Sequence, residues 1–454
     1  MVTDILLKNI RALFLSETRE LGDTDLRISD GRIAAIGSDL VAPHGARILD
    51  CSGKVALPGL VNAHHHFFQS LTRCLPAAQE SGLFDWLTYH YGVWRQVRAE
   101  SVYAAARLAI SELALSGCTA TADHHYLFPP GVTEDLIGIE IEAAREIGIR
   151  FCATRGSMTL GNAHGGLPPD DLVESDDRVL KACEETVARY HDPAPFSMCR
   201  IHIAPCSPFN VTTELLRDSA DLARSLGVRL HTHLAETEDE DKFCLEKFGK
   251  RPLDYMEELG WLGADVWFAH GIYFTDGELD RLARAGVGIS HCPSSNLRLG
   301  SGFCRVPEML RRGVPVGLAV DGSASNDSGD LLAELRQAML LARGRWGSAA
   351  LTARQTISLA TAGSARLLGF AESGTLEVGK AADIALFDLD ELAYAGAADP
   401  IAALLFCGGS HRAWLVITNG EVIVEDGRLA GADEEEIRYQ AVYEAKKLWD
   451  RAGL

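Results

Sequence analysis

Two histidines one residue apart, His64 and His66, sit near the end of the stretch LPGLVNAHHHFFQS (57–70). Pro58 and Gly59 open it, and the apolar run that follows reads as a short strand. Side chains alternate along a strand, so His64 and His66 share one face and His65 takes the other. Two imidazoles at one strand end can reach a single metal ion, and imidazole is a good ligand for zinc and for iron(II). Fifteen histidines in 454 residues give about 0.5 such pairs by chance. The spacing alone therefore decides little, and the case rests on further ligands.

Those recur at the ends of other strand-like runs. HTHLAE (231–236) supplies His231, His233 and Glu236; VWFAH ends at His270, VGISH at His291 and VPVGLAVD at Asp321. A catalytic metal site needs three or four protein ligands and an open position for water. His64, His66, His233 and Asp321 offer three neutral nitrogens and one carboxylate for one divalent metal. Such an ion lowers the pKa of bound water toward ~7. Zinc is the default, and iron(II) also suits three histidines and an aspartate. Glu236, just beyond its neighbouring ligand, can carry protons between that water and a substrate, while His270 and Asp321 can orient the water. His231 lies on the same strand face as His233 and competes with it; the following Leu-Ala-Glu sets Glu236 correctly only if His233 is the ligand. His65, His124, His125 and His202 suit structural or pocket-lining roles. His291 suits either a place beside the site or packing.

The elements that must position these residues follow from the pattern. Eight strand candidates, 59–64, 118–123, 149–154, 198–205, 228–233, 266–270, 287–291 and 314–321, alternate with amphipathic helical segments. This predicts an α/β fold, a (β/α)8 TIM barrel over 59–370 whose site lies at the C-terminal strand ends. Residues 1–58 and 371–432 read as short strands around Asp-Gly, Ser-Gly and Asn-Gly turns in a hairpin pattern. Neither end has much core alone, so together they are expected to form a small β-sandwich domain. Residues 433–454 read as a terminal amphipathic helix.

A formal charge of -20 argues against nucleic acid or an anionic membrane surface as partner, and for a neutral or cationic small substrate. The eleven cysteines are scattered and never spaced Cys-x-x-Cys, which fits a reducing, cytoplasmic setting and excludes zinc ribbons and cytidine-deaminase-type zinc sites. The exposed helices of a barrel favour a homo-oligomer.

PGLVNAHHH (58–66), HTHLAE (231–236), Ala269-His270, HCPSSN (291–296) and VDGSASND (320–327) together resemble the amidohydrolase superfamily, specifically its mononuclear-metal deaminase branch. The likeness covers nearly the whole chain, including GTLEVGKAADIALFD (374–388). It implies ligands at His64, His66, His233 and Asp321, a proton shuttle at Glu236 and a water-orienting His270. Binuclear members add a carboxylated lysine after the fourth strand; MCRIHIAP (198–205) has none, so one metal is expected.

Within the branch, HHHFFQSLTR (64–73), AAQESGLFDWL (77–87), GGLPPD (165–170) and APCSPF (204–209) are similar to the 8-oxoguanine deaminases. That similarity implies attack of metal-bound hydroxide at C2 of the purine and release of ammonia to give urate. Guanine, pterins such as isoxanthopterin, and hydroxy-s-triazines are the alternative substrates, and a barrel scaffold without catalysis is the alternative class. A flat polar heterocycle needs an apolar wall and fixed amide-type partners. Gln69, Gln79 and Trp86 are suitable types, Trp86 and Trp94 suit core packing equally, and Arg73 can meet a substrate oxygen or pair with an acidic residue.

Overall fold

The computed structural model describes residues 4–408 and 412–454; residues 1–3 of the first segment and 409–411 of the third lie outside the described residues. The first segment supplies β1 (Ile5–Ser16), β2 (Arg19–Ser29), β3 (Arg32–Gly37), β4 (Arg47–Asp50) and β5 (Lys54–Pro58). β1, β2 and β3 form an antiparallel meander. Its Asp30-Gly31 turn has φ of 50° and 73°, the left-handed pair that favours Asp-Gly. β4 and β5 depart from the expected hairpin, because both run parallel to β1. At twelve residues β1 is long enough to pair with them in succession, β4 beside Ile5–Lys8 and β5 beside Ala12–Leu13.

The barrel strands follow: β6 (Leu60–Asn62), β7 (Cys118–His125), β8 (Arg150–Ser157), β9 (Cys199–Pro205), β10 (Leu230–Leu234), β11 (Val266–His270), β12 (Gly288–His291) and β13 (Val316–Leu318). Neighbours pair in parallel and in chain order. The Ala63 N–H donates to Leu318 O at 3.1 Å and closes the ring. Each strand coincides with one of the eight expected. No helix among the described residues is long and apolar enough to cross a membrane.

β14 (Ile384–Asp388), β15 (Leu415–Thr418), β16 (Glu421–Glu425) and β17 (Arg428–Leu429) come after the barrel. β14 pairs antiparallel with β5, so both chain ends share one nine-stranded sheet, the small domain expected. Its core, including Leu7, Leu26, Ile384 and Ile417, is distinct from the barrel's. The terminal helix Glu434–Ala452 packs on the barrel helix Ala99–Leu115, with Arg107 reaching Gln440 at 2.6 Å. Trp449 Nε1 donates to Leu71 O at 2.9 Å. Leu71 ends the short turn that starts at Phe67, so this helix braces the segment behind the histidine pair.

The two domains meet where β5 runs into β6. A Cβ on Gly59 would lie 2.1 Å from Thr119 Oγ1, so only glycine permits this approach. Beside it Arg150 and Asp383, both buried, form an ion pair at 3.1 Å, and Asp383 also accepts from the Asn419 N–H at 2.7 Å. Asp383→Ala would leave the guanidinium buried and uncompensated, at an expected cost of ~3–5 kcal/mol in the free energy of urea unfolding. A loss no larger than that of a surface pair, ~1 kcal/mol or less, would show that this pair does not hold the junction.

Candidate active site

At the C-terminal end of the barrel four side chains converge. His64 Nε2 and His66 Nε2 lie 3.3 and 3.4 Å from Asp321 Oδ1, and His66 Nε2 lies 3.1 Å from His233 Nε2. All four residues are buried.

The hydrogens on two of these rings are decided by the backbone. His66 Nδ1 is 2.8 Å from His124 O, and His233 Nδ1 is 2.6 Å from Cys206 O. A carbonyl only accepts, so each Nδ1 carries the proton and each Nε2 presents a lone pair. Two lone pairs 3.1 Å apart repel unless something positive lies between them. A proton does not serve at neutral pH, because burial pushes His66 down to about 4 and His233 down to about 3. Burial also opposes the charge of Asp321, but the facing imidazoles outweigh it and hold that carboxyl well below its ordinary range. Neutral nitrogens beside an ionised carboxylate suit a single divalent cation: donor atoms of His64, His66, His124 and His233 lie within 4.8 Å of one another, as do those of His64, His270 and Asp321.

The loops that hold the set are tightly specified. Asp321 and His270 have φ of 65° and 72°, and Ala235, just after β10, has 56°. These left-handed residues re-aim the chain where strands end. The Asp321 N–H donates to His64 O at 3.2 Å, and Asp321 Oδ2 accepts from Ser295 Oγ at 2.6 Å. A Cβ on Gly322 would fall 2.0 Å from Gln69 Oε1, so a larger residue there would displace the Gln69 amide. His270 Nδ1 donates to Asn296 Oδ1 at 2.9 Å, and its Nε2 faces Glu236 Oε2 at 3.5 Å. The Glu240 carboxylate accepts from the N–H groups of Ala235 and Glu236, both at 3.0 Å, and so fixes the turn that carries Glu236.

Next to these groups is a small cavity with Leu83, Trp86, Leu87, Phe209 and Leu299 on its apolar side. Gln69, Tyr126, Cys206, Ser207 and Asn210 contribute polar groups, and Glu236, His270 and Asp321 border it. Gln69 Oε1, Trp86 Nε1, Ser207 Oγ and Asn210 Oδ1 are buried without hydrogen-bond partners. Two residues proposed for substrate lie elsewhere. Arg73 is committed to the Glu112 carboxylate (Nη1 at 2.9 Å) and to Ser323 Oγ, and does not border the cavity. Gln79 is exposed, its amide donating to Cys74 O at 3.0 Å, because the turn after Leu75 carries it outward. Trp94 is core, with Nε1 donating to Thr72 Oγ1 at 3.1 Å. His65 points away and accepts from the His66 N–H, while His124 stacks on His233 at 4.8 Å and donates to Ala204 O. Ser295, Asn296, Ser207 and Asn210 were not singled out from sequence; HCPSSN and APCSPF contain the first three, and Asn210 follows the second directly.

The sequence profile of the Amidohydrolase family matches residues 55–423. The chain is 48% identical to an 8-oxoguanine deaminase of Pseudomonas aeruginosa, over 90% of this chain and 91% of that protein. It is 38% identical to a hydroxydechloroatrazine ethylaminohydrolase of a Pseudomonas species, over 92% of this chain and 89% of that one. Among solved structures, an atrazine chlorohydrolase from Arthrobacter aurescens TC1 complexed with zinc superposes with a TM-score of 0.93 at 38% identity, covering 98% of this chain and 99% of that one.

Glu236 differs electrostatically from Asp321. Burial, reinforced by the Asp321 charge, raises it to about 7, against the opposing pull of His270 and Ser301. Between its ordinary value of 4.5 and about 7, the folded protein holds a proton that the unfolded chain releases. Its contribution to stability is therefore full below pH 4.5, falls as pH rises through that window, and is gone above about 7. In chelator-treated protein, Glu236→Gln should be more stable than wild type at pH 8 by ~3 kcal/mol and gain nothing at pH 4. Urea unfolding at both pH values measures this, and an equal difference at each would contradict a raised carboxyl.

Proposed function

The chain belongs to the amidohydrolase family, and from that premise we propose that it is a metal-dependent deaminase of an amino-substituted oxo-heterocycle, converting 8-oxoguanine and water to urate and ammonia. The observation that carries this reading is the buried Glu236 carboxyl beside His270, bordering a cavity with unpartnered amide-type groups. An oxidised purine presents ring N–H donors and carbonyl acceptors along its edges. Trp86 Nε1 can donate, Gln69 Oε1 and Asn210 Oδ1 can accept, and the Ser207 hydroxyl can do either. The apolar side holds a flat ring. The likeness to the Pseudomonas aeruginosa deaminase favours the oxidised purine within this class.

His64, His66, His233 and Asp321 would hold the ion, which we assign as zinc by the likeness to the zinc-complexed chlorohydrolase, with iron(II) as the alternative. When bound, such an ion makes hydroxide available from water at neutral pH. Glu236 takes the proton from the attacking water and delivers it to the ring nitrogen beside the attacked carbon. It then takes the remaining proton of the added hydroxyl and passes it to the amine as the C–N bond breaks, so the ring carbon gains a carbonyl and ammonia leaves. His270, its ring set by Asn296, faces Glu236 and orients the water. A cytoplasmic placement is part of the same reading, supported by eleven unpaired cysteines.

Purified protein should release ammonia from 8-oxoguanine and form urate. Much faster turnover of guanine, isoxanthopterin or a hydroxy-s-triazine would overturn the substrate, and no ammonia from any of them would overturn the deaminase. Glu236→Gln should keep the metal and lower kcat by ~10²–10⁴-fold, as loss of acid–base transfer does. Near wild-type kcat in that variant would remove Glu236 from proton transfer.

A further inference from the structure

His231 shares a strand face with His233 and yet lies outside the set of four donors. Its Nδ1 is 3.0 Å from Trp267 O, so Nδ1 holds the ring's proton and Nε2 accepts. That Nε2 is 2.8 Å from His64 Nδ1, which must then be the donor. His64 Nε2 is left bare, with no hydrogen-bond partner, 3.3 Å from Asp321 Oδ1. His66 and His233 reach a carbonyl directly, whereas His64 reaches one only through a second imidazole. The His231 ring lies flat against the Trp267 indole, with centroids 4.4 Å apart and an interplanar angle of 15°, and both residues are buried.

We propose that His231 is a positioning residue for the metal centre: it relays the Trp267 carbonyl to His64, fixing which nitrogen of His64 is free for the ion. This rests on the reading of the centre as a divalent-cation site. Hydrogen-bond partners of metal-bound histidines set ring orientation and basicity, and their loss weakens metal affinity about 10–100-fold. With the relay in place, His64 needs neither a change of tautomer nor a turn of its ring to bind an ion.

The test is zinc affinity, measured with Zn²⁺ alone in competition with a chromophoric chelator, for wild type, His231→Phe and His231→Gln. Phenylalanine keeps a ring against Trp267 but offers His64 no acceptor. Glutamine can accept from His64 through its amide oxygen and donate to Trp267 O through its amide nitrogen. The expected result is a loss of ~10–100-fold for the phenylalanine variant and near wild-type affinity for glutamine. If the phenylalanine variant does not fold, His231→Asn, too short to reach His64, replaces it and should weaken equally. Zinc affinity unchanged without an acceptor, or equally reduced in the glutamine variant, would overturn the relay. A folded wild type that takes up no Zn²⁺ would instead overturn the cation reading on which the relay rests.

Discussion

Acceptor facing acceptor is the constraint on which the rest of this structure depends. Peptide carbonyls at His124 and Cys206 claim the Nδ1 protons of two histidines, and their remaining lone pairs meet at 3.1 Å beside an ionised aspartate. Each buried acceptor left without a partner costs ~1–3 kcal/mol. Protonating the rings would relieve the repulsion, but burial makes that unfavourable at neutral pH. A metal cation relieves it without placing a proton in a dry interior. Neighbouring barrel strands place the two carbonyls, so the backbone itself predetermines the chemistry of the rings.

That arrangement is costly to the chain. Ala235, His270 and Asp321, none of them glycine, take left-handed backbone conformations at the mouth of the barrel, at ~1–3 kcal/mol each. They persist because hydrogen bonds and packing around them permit little else. The Glu240 carboxylate clasps the turn at Ala235, and the His64 carbonyl holds the Asp321 amide. The second domain adds to this from behind, through the Gly59 junction and the buried Arg150–Asp383 pair. Burial has opposite outcomes for the two carboxylates of the site. Asp321, ringed by imidazoles, stays charged, while Glu236, one step further out, is raised to about 7 and so can exchange a proton near neutrality.

Much of this was legible in the sequence for a simple reason. Barrel strands are buried on both faces and so read as apolar runs, and polar residues at their ends stand out. All eight strands, the histidine pair, His233, Glu236, His270 and Asp321 were visible in that way. Loop paths were not. Gln79 and Arg73 have suitable chemistry, but the turn at Pro76–Ala78 faces one outward and Glu112, from a barrel helix, captures the other. The parallel placement of β4 and β5 was also hidden, because a Ser-Gly turn signals a reversal and says nothing of a strand long enough to pair with both. His231 was ambiguous for a related cause. Same-face spacing brings two imidazoles to one side of a strand, and only the three-dimensional position of Trp267 O tells which of them turns aside.

The most direct test of the account is crystallographic. Anomalous difference maps from protein grown with zinc, collected on either side of the zinc absorption edge, should show one peak per chain. It should lie ~2.0–2.2 Å from Nε2 of His64, His66 and His233 and from a carboxylate oxygen of Asp321. A peak held by His231 or His124 in place of one of these, two peaks of equal height, or none in a well-ordered barrel would contradict it.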